Sequence, residues 1–521
     1  MAANISSVDL WIIGAYFLVV LAIGIGVGLK TRTDDDLFLG GRSLTWAFIG
    51  FSLFASNISS TTLIGLSGSA YSTGIAVSNY EWMAGVPLIL MAAVFVPLYL
   101  KARITTVPEF LELRFDRRSR TVFSLITIFI SIVVDTAGGL YAGAIVLKVF
   151  FPELVLWQTT LALAVFAGFY TAVGGLKAVV YTDTLQAVIL IVGCSILTYL
   201  LFREMGFSWA VLQASVPPGH LSVIKPLDDP TLPWLGTLIG VPVLGFWYWV
   251  TNQYIVQRVL AAKNVSHARW GVMLGGFMKI IPLFIMVLPG AMAISVLPGI
   301  AARDMVFPTL VIELLPVGAV GIVLAGLISA IMSSVDSTLN SASTLIVVDF
   351  LKPRLGNATP KQIAGYGRIA TFALMAVAAV WAPMIGNFGG LWNYLQQVFA
   401  IVVPPIAAIF LFGVFYPKGN GTGALVTLLL GTALGMVVFI LARLEIWTIH
   451  FSINVGLMFA VSCVIFVIAS RWGGRATAEQ LQGLVYHPAL LQPATPEAYR
   501  DYRYLAAGLL VAMFGVLVIF W

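Results

Sequence analysis

The sequence predicts an all-α, polytopic membrane protein with about fourteen transmembrane helices, two of them interrupted within the membrane. Three observations support this fold class. The 521-residue chain is 60% hydrophobic and only 10% charged, a composition unlike that of soluble globular domains. Apolar runs of about 20 residues, long enough to cross the hydrocarbon core, recur from end to end. Two of these runs contain polar or glycine-rich interruptions. No polar stretch is long enough for a soluble core, so residues 1–521 are expected to form a single transmembrane domain.

The apolar runs define the expected spans. In order they are 9–29, 44–74, 76–100, 120–150, 157–175, 185–202, 234–257, 271–298, 318–350, 365–386, 390–415, 422–443, 449–471 and 504–521. The first is expected to be retained, because it lacks a positive n-region and an A-x-A-like cleavage site. Cys194 and Cys463 lie in spans and are expected to pack as apolar residues. No histidine or cysteine spacing indicates a metal site.

The distribution of positive charge indicates how the chain is oriented. Of the 28 lysines and arginines, 22 fall in loops on one side of the predicted spans and five on the other. The positive-inside rule therefore predicts that both termini lie outside. We expect a multi-pass protein of the plasma membrane, the inner membrane in a bacterium. The pI of 9.2 then reflects loops that face anionic lipid and does not indicate a nucleic-acid partner.

The first interruption is SLFASNISSTTLIGLSGSAYSTG, residues 52–74. An unpaired backbone group in hydrocarbon costs several kcal/mol, so non-helical backbone persists there only beside a cavity or a ligand. Carbonyl groups freed near residues 55–58 could bind a cation. Taken alone, the stretch fits a helix contact lined by small residues equally well.

A second interruption, GVPVLGFWYWVTNQ at residues 240–253, favours the binding-site interpretation. If the first span is set aside, the interruptions lie in core helices 1 and 6. Equivalent positions are thus five helices apart, an odd number, so the second unit has inverted topology. We predict inverted repeats over 44–233 and 234–415, flanked by an extra N-terminal helix and loop over 9–43 and extra C-terminal helices over 416–521. Paired broken helices in inverted repeats are typical of secondary transporters with a site at the bilayer midplane.

A polar stripe follows in GLISAIMSSVDSTLNSASTLIVVD, residues 326–349. Its members share one helical face and are Ser333, Ser337, Asn340, Ser341 and Thr344. Ser334 and Asp336 flank this face, and an intramembrane carboxylate indicates function. The Ser333 and Ser334 hydroxyls, together with carbonyls freed at the first interruption, would supply the hard oxygen ligands that a sodium ion prefers.

Two charged residues lie within predicted spans, Glu81 in NYEWMAG and Lys279 in GGFMKIIPLF. Each charge would cost at least about 2.5 kcal/mol if isolated at that depth, so we expect them to pair or to share a polar ligand. A carboxylate and an ammonium together suit a hydroxyl-rich solute. The alternatives are that Lys279 snorkels to an interface and that Glu81 is exposed at the outer surface.

Other polar and aromatic residues are weaker candidates. Asp183 is expected to start a helix at the cytoplasmic face, where it either meets the helix dipole or lines the inner mouth of a sodium path. Gln396 could offer an amide to the solute. The cluster of Trp247, Tyr248 and Trp249 could stack on a sugar ring or simply pack.

In combination, several strings resemble the sodium–solute symporter family and, within it, the sodium/glucose cotransporter branch. They are FASNIS (54–59), SNYEWM (78–83), YTAVGGLKAVVYTDTLQ (170–186), NQYIVQRVLAAK (252–263), LPG (288–290), SSVDSTLNSASTL (333–345) and PPIAAIFLFGVF (404–415). The resemblance spans nearly the whole chain. It implies a LeuT-type fold, with ten core helices in two inverted repeats plus flanking spans, and inward sodium-driven transport by alternating access.

The resemblance also implies roles for individual residues. The sodium site would use the carbonyls of Ala55, Ile58 and Ala330 and the hydroxyls of Ser333 and Ser334, with Asp183 nearby. The solute site would use Asn57, Glu81, Lys279 and Gln396, with Thr62 at a position where sugar-transporting members carry an amide or imidazole. The gates would be Tyr248 on the inner side, beside Trp249, and Tyr80 and Trp392 on the outer side.

The chain departs from the sugar-transporting pattern at Thr62 and also at Ala84 and Gly245, where a galactose-transporting relative has a serine and an asparagine. Each lost partner removes a hydrogen bond worth about 0.5–1.5 kcal/mol, so a different monosaccharide, a deoxy sugar or another polyol fits as well as galactose. The retained Glu81, Lys279 and Gln396 favour import of a monosaccharide or similar neutral polyhydroxy solute. The alternative is a non-sugar solute, namely an inositol, a sialic acid, a vitamin or another organic acid. Asp336 stands where some relatives have a hydroxyl. We therefore expect that Asp336, Ser337 and Asp183 could form a second sodium site. Neither a filter-like loop nor a catalytic motif is present, which argues against a channel and against an enzyme.

Overall fold

The computed structural model describes residues 5–29, 33–151, 153–300, 303–356, 358–388, 391–492 and 501–521, and it contains no β-strand among them. Twelve described helices are long and apolar enough to cross a membrane, and thirteen if the bent pair Trp46–Asn57 and Thr62–Thr73 counts as one span. The twelve are Ser7–Gly28, Ile75–Ala102, Arg117–Lys148, Gly175–Glu204, Trp234–Thr251, Val265–Val296, Ala319–Leu355, Pro360–Ile385, Val398–Phe415, Gly421–Arg443, Phe451–Ala469 and Tyr502–Ile519.

The shorter helices connect or continue these spans. They are Asp34–Leu39, Val107–Arg114, Leu156–Phe166, Trp209–Ser215 and Val306–Leu314. The expected span 157–175 corresponds to the part of the helical stretch Leu156–Glu204 before Gly175. Its apolar portion Leu156–Phe166 is shorter than the counted spans, which accounts for the difference between fourteen expected spans and thirteen found.

The first broken helix consists of Trp46–Asn57 and Ser60–Thr73, whose axes differ by 59°. Ile58 and Ser59 between them have extended backbone. The Ser59 N–H donates to the Asn57 carbonyl at 3.0 Å, and the Thr62 N–H donates to Ser59 Oγ at 3.1 Å. Helical geometry would have sent these two donors to the carbonyls of Ala55 and Ile58. The break therefore frees the backbone carbonyls that the sequence predicted.

The second broken helix runs through Trp234–Ile239, Val241–Phe246 and a π-helical turn at Trp247–Thr251, and it resumes as Gln253–Leu260. The extended residue is Asn252, with φ −75° and ψ 123°. The break thus lies after the aromatic cluster, at the polar end of the stretch 240–253. The helix continues through the glycines and the proline as far as the π-turn. Single π-turns inside helices often mark functional sites.

The two expected spans 157–175 and 185–202 correspond to two helices that meet at a kink at Gly175 within the helical stretch Leu156–Glu204. Gly175 has φ +62°, and a Cβ there would lie 2.6 Å from the Leu37 carbonyl oxygen, so glycine is required. The expectation that Asp183 begins a helix at the cytoplasmic face is therefore wrong. Asp183 lies eight residues beyond the break and is completely buried, because the turn needs one residue and not the nine-residue loop, 176–184, that the composition suggested.

The centre of the bundle is the helix Ala319–Leu345, hereafter the polar helix. It packs against Leu156–Glu204, against both broken helices and against the helix Arg117–Phe129 with its π-turn Ile130–Thr136. The predicted stripe is buried along its whole length, since Ser333, Asn340 and Thr344 are each at most 3% exposed. Polar side chains at such depth line a site or pair with neighbouring helices.

Candidate functional site

A cavity of about 190 Å³ lies between the two broken helices and the polar helix. Polar groups and aromatic rings from five helical segments converge on it. Its lining includes Ser56, Asn57, Ser59, Thr62, Tyr80, Glu81, Asp135, Trp247, Tyr248, Trp249, Tyr254, Ser334 and Thr338. A cavity of mixed apolar walls and a few convergent polar groups is the usual form of a small-molecule site.

The expected pairing of the two intramembrane charges is confirmed. Lys279 Nζ forms an ion pair with Glu81 Oε2 and donates a hydrogen bond to Asn57 Oδ1. The Lys279 and Glu81 side chains are 1% and 7% exposed, so neither the snorkelling nor the surface interpretation applies. The ammonium also lies 5.7 Å from the centre of the Trp249 ring, within the range of a cation–π contact. Three helices thus meet at one charge-balanced cluster, in which Glu81 and Asn57 line the cavity and Lys279 lies behind them.

Aromatic rings form another wall of the cavity. The Tyr248 ring packs edge-to-face against Trp249 at 5.0 Å and against Tyr254 at 5.8 Å. The Tyr254 hydroxyl donates to the Tyr248 hydroxyl at 2.5 Å. These contacts hold Tyr248 against the break at Asn252, where a small change of backbone would move the ring. Tyr80 also lines the cavity, on the segment that carries Glu81.

A second buried ion pair lies behind the polar lining. Arg258 Nη2 is 3.1 Å from Asp183 Oδ2, and the two side chains are 1% and 0% exposed. Asp183 also accepts hydrogen bonds from Ser52 at 2.5 Å and Ser56 at 3.0 Å. The guanidinium in turn donates to Ser52, Ser56 and Ser337. One network thereby joins both broken helices, the polar helix and Leu156–Glu204.

The residues expected to bind sodium lie together beside this network. Ala55, Ile58, Ala330, Ser333 and Ser334 are all buried, at 7% exposure or less. The polar helix is joined to the first broken helix by the contact between Ser56 Oγ and Ser337 Oγ at 3.2 Å. The hydroxyls of Ser333 and Ser334 donate their hydrogens to other groups. Ser333 donates to Asp183 Oδ1 at 2.6 Å and Ser334 to the Ala330 carbonyl at 3.1 Å, so oxygen lone pairs remain for an ion.

Other expected site residues occupy different surroundings. Thr62 donates to the Asn57 carbonyl at 3.2 Å and lies 3.1 Å from Ser59 Oγ, which stabilises the break itself. Ser337 contacts Asp336 at 3.2 Å and also the Arg258 guanidinium. A sodium ion at the expected second site would therefore lie beside the positive charge of Arg258. Gln396 and Trp392 belong to the helix Leu391–Phe415, but their side chains lie outside the described part of the chain.

Sequence reasoning missed two charged residues of the site, Arg258 and Asp135. Arg258 was assigned to a cytoplasmic loop because the expected span ended at residue 257, yet the whole segment Gln253–Leu260 is buried. Asp135 lies on the π-turn Ile130–Thr136 and lines the cavity. The rule that an intramembrane carboxylate indicates function, applied to the span 120–150, would have found it.

Two broken helices that meet at a polar cavity inside an apolar bundle define a secondary transporter of the alternating-access class. Comparison with known proteins places the chain within that class. The model of the sodium:solute symporter family matches residues 37–431, and the chain belongs to this family. It is a multi-pass membrane protein that couples solute transport to sodium, and it is not an enzyme.

Relatives and a solved structure agree with this assignment. The chain is 34% identical to sodium/glucose cotransporter 4 of Danio rerio, over 83% of this chain and 72% of the relative. It is 35% identical to a sodium/glucose cotransporter of Vibrio parahaemolyticus, over 81% of this chain and 83% of the relative. It is 36% identical to sodium/myo-inositol cotransporter 2 of Mus musculus, over 83% of this chain and 70% of the relative. A sodium-coupled sialic acid symporter of LeuT fold matches with TM-score 0.79 at 21% identity, covering 91% of this chain and 99% of that one. The fold is therefore the LeuT type.

Proposed function

We propose that the solute is a monosaccharide or a similar neutral polyhydroxy compound, imported together with sodium by alternating access. Both termini would lie outside, in a plasma membrane that is the inner membrane in a bacterium. The observation that carries this proposal is that Glu81 and Asn57 line the cavity while both are bonded to the buried Lys279.

The chemistry of that cluster suits hydroxyl groups. Because the charges of Lys279 and Glu81 balance, the pair attracts neither an anion nor a cation strongly. Its remaining donor and acceptor sites, with the Asn57 amide, can each take a hydroxyl that acts as acceptor or donor. The Trp249 and Tyr248 rings in the same lining offer apolar faces to a sugar ring. Gln396 is proposed as a further amide partner.

We propose that sodium binds between the first break and the polar helix. The ligands would be the carbonyls of Ala55 and Ile58 and the hydroxyls of Ser333 and Ser334, with the Ala330 carbonyl. The freed carbonyls and the orientation of the two hydroxyl hydrogens support this set. Ser334 also lines the solute cavity, so ion and solute would occupy neighbouring positions, as coupled transport requires.

The gates are proposed from the aromatic lining. Tyr248, next to the break at Asn252, would close the inner side together with Trp249, and Tyr80 would close the outer side with Trp392. A shift at the extended residue Asn252 would carry Tyr248 with it. Conformational gating of this kind sets the rate of many transport and catalytic cycles.

A non-sugar solute of similar shape is the second candidate, and the small side chains of the lining favour it. Ala84 and Gly245 line the cavity and offer it no side-chain hydrogen bond. The relatives named above include a myo-inositol cotransporter as well as glucose cotransporters. An inositol would place hydroxyls around the whole ring and would depend less on any one partner.

The test is uptake into proteoliposomes of labelled D-glucose, D-galactose, myo-inositol and N-acetylneuraminic acid, with and without an inward sodium gradient. We expect sodium-dependent accumulation of a hexose or of inositol and none of the acid. Sodium-dependent uptake of the acid alone would keep the family assignment and reject the proposed role of the Glu81–Lys279 cluster. Lys279→Met is expected to weaken uptake of the transported solute, whereas Lys148→Met, at an exposed helix end, serves as the control.

A further inference from the structure

One carboxyl group of the cavity has an oxygen that no described residue satisfies. Asp135 lies on the π-turn Ile130–Thr136 and lines the cavity. Its Oδ2 atom is buried without a hydrogen-bond partner in the described part of the chain. The next residue fixes this turn in place, because Thr136 Oγ1 lies 2.6 Å from Thr338 Oγ1 of the polar helix. A carboxylate held in this way at membrane depth implies a ligand that satisfies it.

The charges around the cavity do not balance without a ligand. Among the described residues of the lining, only Glu81 and Asp135 are charged. Glu81 is neutralised by Lys279, and the deeper Asp183 by Arg258. Asp135 is therefore the one carboxyl group of the described lining that has no basic partner.

The structure also leaves space beside this carboxylate. Gly138 and Gly139, three and four residues further along the helix, line the same cavity and share its helical face. Because neither has a side chain, they present only backbone to the cavity beside Asp135. The Tyr248 and Tyr254 hydroxyls nearby bond to each other and do not satisfy the carboxylate.

We propose that Asp135 contacts the solute and selects it by charge. Its oxygens would accept two hydroxyl hydrogens of a neutral polyol or one ammonium group, and its charge would exclude anionic solutes. This inference rests on the proposed function and narrows it, because it rejects the organic acids among the alternatives. Two like charges about 7 Å apart at an effective dielectric constant of about 20 repel enough to change affinity on the order of tenfold or more.

The test uses three hexoses of nearly equal size and different charge. D-Glucose, D-glucosamine and D-glucuronate compete with the labelled solute that the wild type transports, for sodium-driven uptake at pH 7.5, where glucuronate is ionised and part of the glucosamine carries a protonated amine. In the wild type, glucuronate should be the weakest competitor. In Asp135→Asn, the affinity of glucuronate relative to glucose should rise about tenfold, and that of glucosamine should fall. Asp135→Glu should keep the wild-type order, and Asp228→Asn, at an exposed loop position, should change nothing.

Relative affinities that stay the same in Asp135→Asn would overturn the inference while the proposed function stands. Failure of the wild type to transport any hexose or myo-inositol with sodium would instead remove the proposed function. A second measurement then decides on Asp135 without transport. In Asp135→Cys, the thiol should react with the water-soluble reagents MTSET and MTSES, as measured by intact mass against wild-type protein. Absence of any added mass would show that this side chain does not face the solute chamber and would overturn the inference.

Discussion

Removing one charge of the Glu81–Lys279 pair is predicted to destabilise the protein more than removing both. The two side chains are 7% and 1% exposed. Neutralising one partner of a buried pair costs about 3–5 kcal/mol, because the other charge stays buried without compensation, whereas replacing both partners is often close to neutral. Water in the adjoining cavity can hydrate Glu81, so we expect the lower end, about 3 kcal/mol, for Lys279→Met and for Glu81→Gln. The double variant should lose less than either single variant, a coupling of at least about 3 kcal/mol.

The assay is a double-mutant cycle on thermal stability. Wild type, the two single variants and the double variant are heated in one detergent at one sodium concentration, and the folded fraction is followed by size-exclusion chromatography. Unfolding of a membrane protein of this size is expected to be irreversible, so all four are compared at one heating rate. Solute affinity is measured alongside, and we expect it to fall by about ten- to a hundredfold in all three variants, because a hydrogen bond to a charged group is worth about 1.5–3 kcal/mol.

Stability and affinity should thus separate in the double variant, which is expected to be stable but weak in solute binding. If the two single losses simply add in the double variant, the charges do not interact and the reasoning is refuted. If affinity is unchanged in all three variants, the pair is structural and does not contact the solute.

Three further predictions concern other parts of the molecule. Ser334→Ala should raise the sodium concentration for half-maximal uptake about two- to tenfold, and unchanged sodium dependence would reject that ligand. Arg114 is fully buried and donates to the carbonyls of Gly413, Tyr416 and Gly419, so Arg114→Lys should lower thermal stability by about 3 kcal/mol because the forked geometry is lost, measured by the same heating assay. Burial lowers the pKa of His220 in the loop before residue 234, which means that folding favours its neutral form. Stability should therefore be full above the ordinary pKa of about 6.5 and decline as pH falls below it, and His220→Gln should flatten this part of the pH profile.

The broken helices could be predicted from sequence because their cause is local. A run of hydroxyls and an amide in hydrocarbon has few uses besides re-pairing freed backbone, and Ser59 and Thr62 do this at the first break. The second break was predicted within 240–253 and is found at Asn252. The pairing of Glu81 with Lys279 also followed from local reasoning, since two isolated charges at membrane depth have few other solutions.

Partners that depend on the packing of distant helices could not be predicted. Arg258 lies just beyond an apolar run, where an arginine ordinarily marks the cytoplasmic end of a span. Only the tertiary structure shows that Asp183, 75 residues earlier in the chain, faces it. The position of Asp183 was itself obscured, because a single glycine at 175 replaces the loop that its surroundings suggested.

The Asp183–Arg258 pair leads to a last prediction about sodium affinity. Ser333 donates its hydrogen to Asp183, so the carboxylate orients the hydroxyl oxygen toward the proposed ion. Asp183→Asn removes the negative charge and leaves the buried Arg258 guanidinium uncompensated beside the site. The guanidinium should then repel sodium and raise the half-saturating concentration at least tenfold, more than Ser334→Ala does. In Asp183→Asn combined with Arg258→Gln neither charge remains, so sodium affinity should recover in part, as measured by sodium-dependent uptake at saturating solute. If the double variant is as weak as Asp183→Asn alone, Asp183 acts as a direct ligand and its balance with Arg258 does not set the sodium affinity.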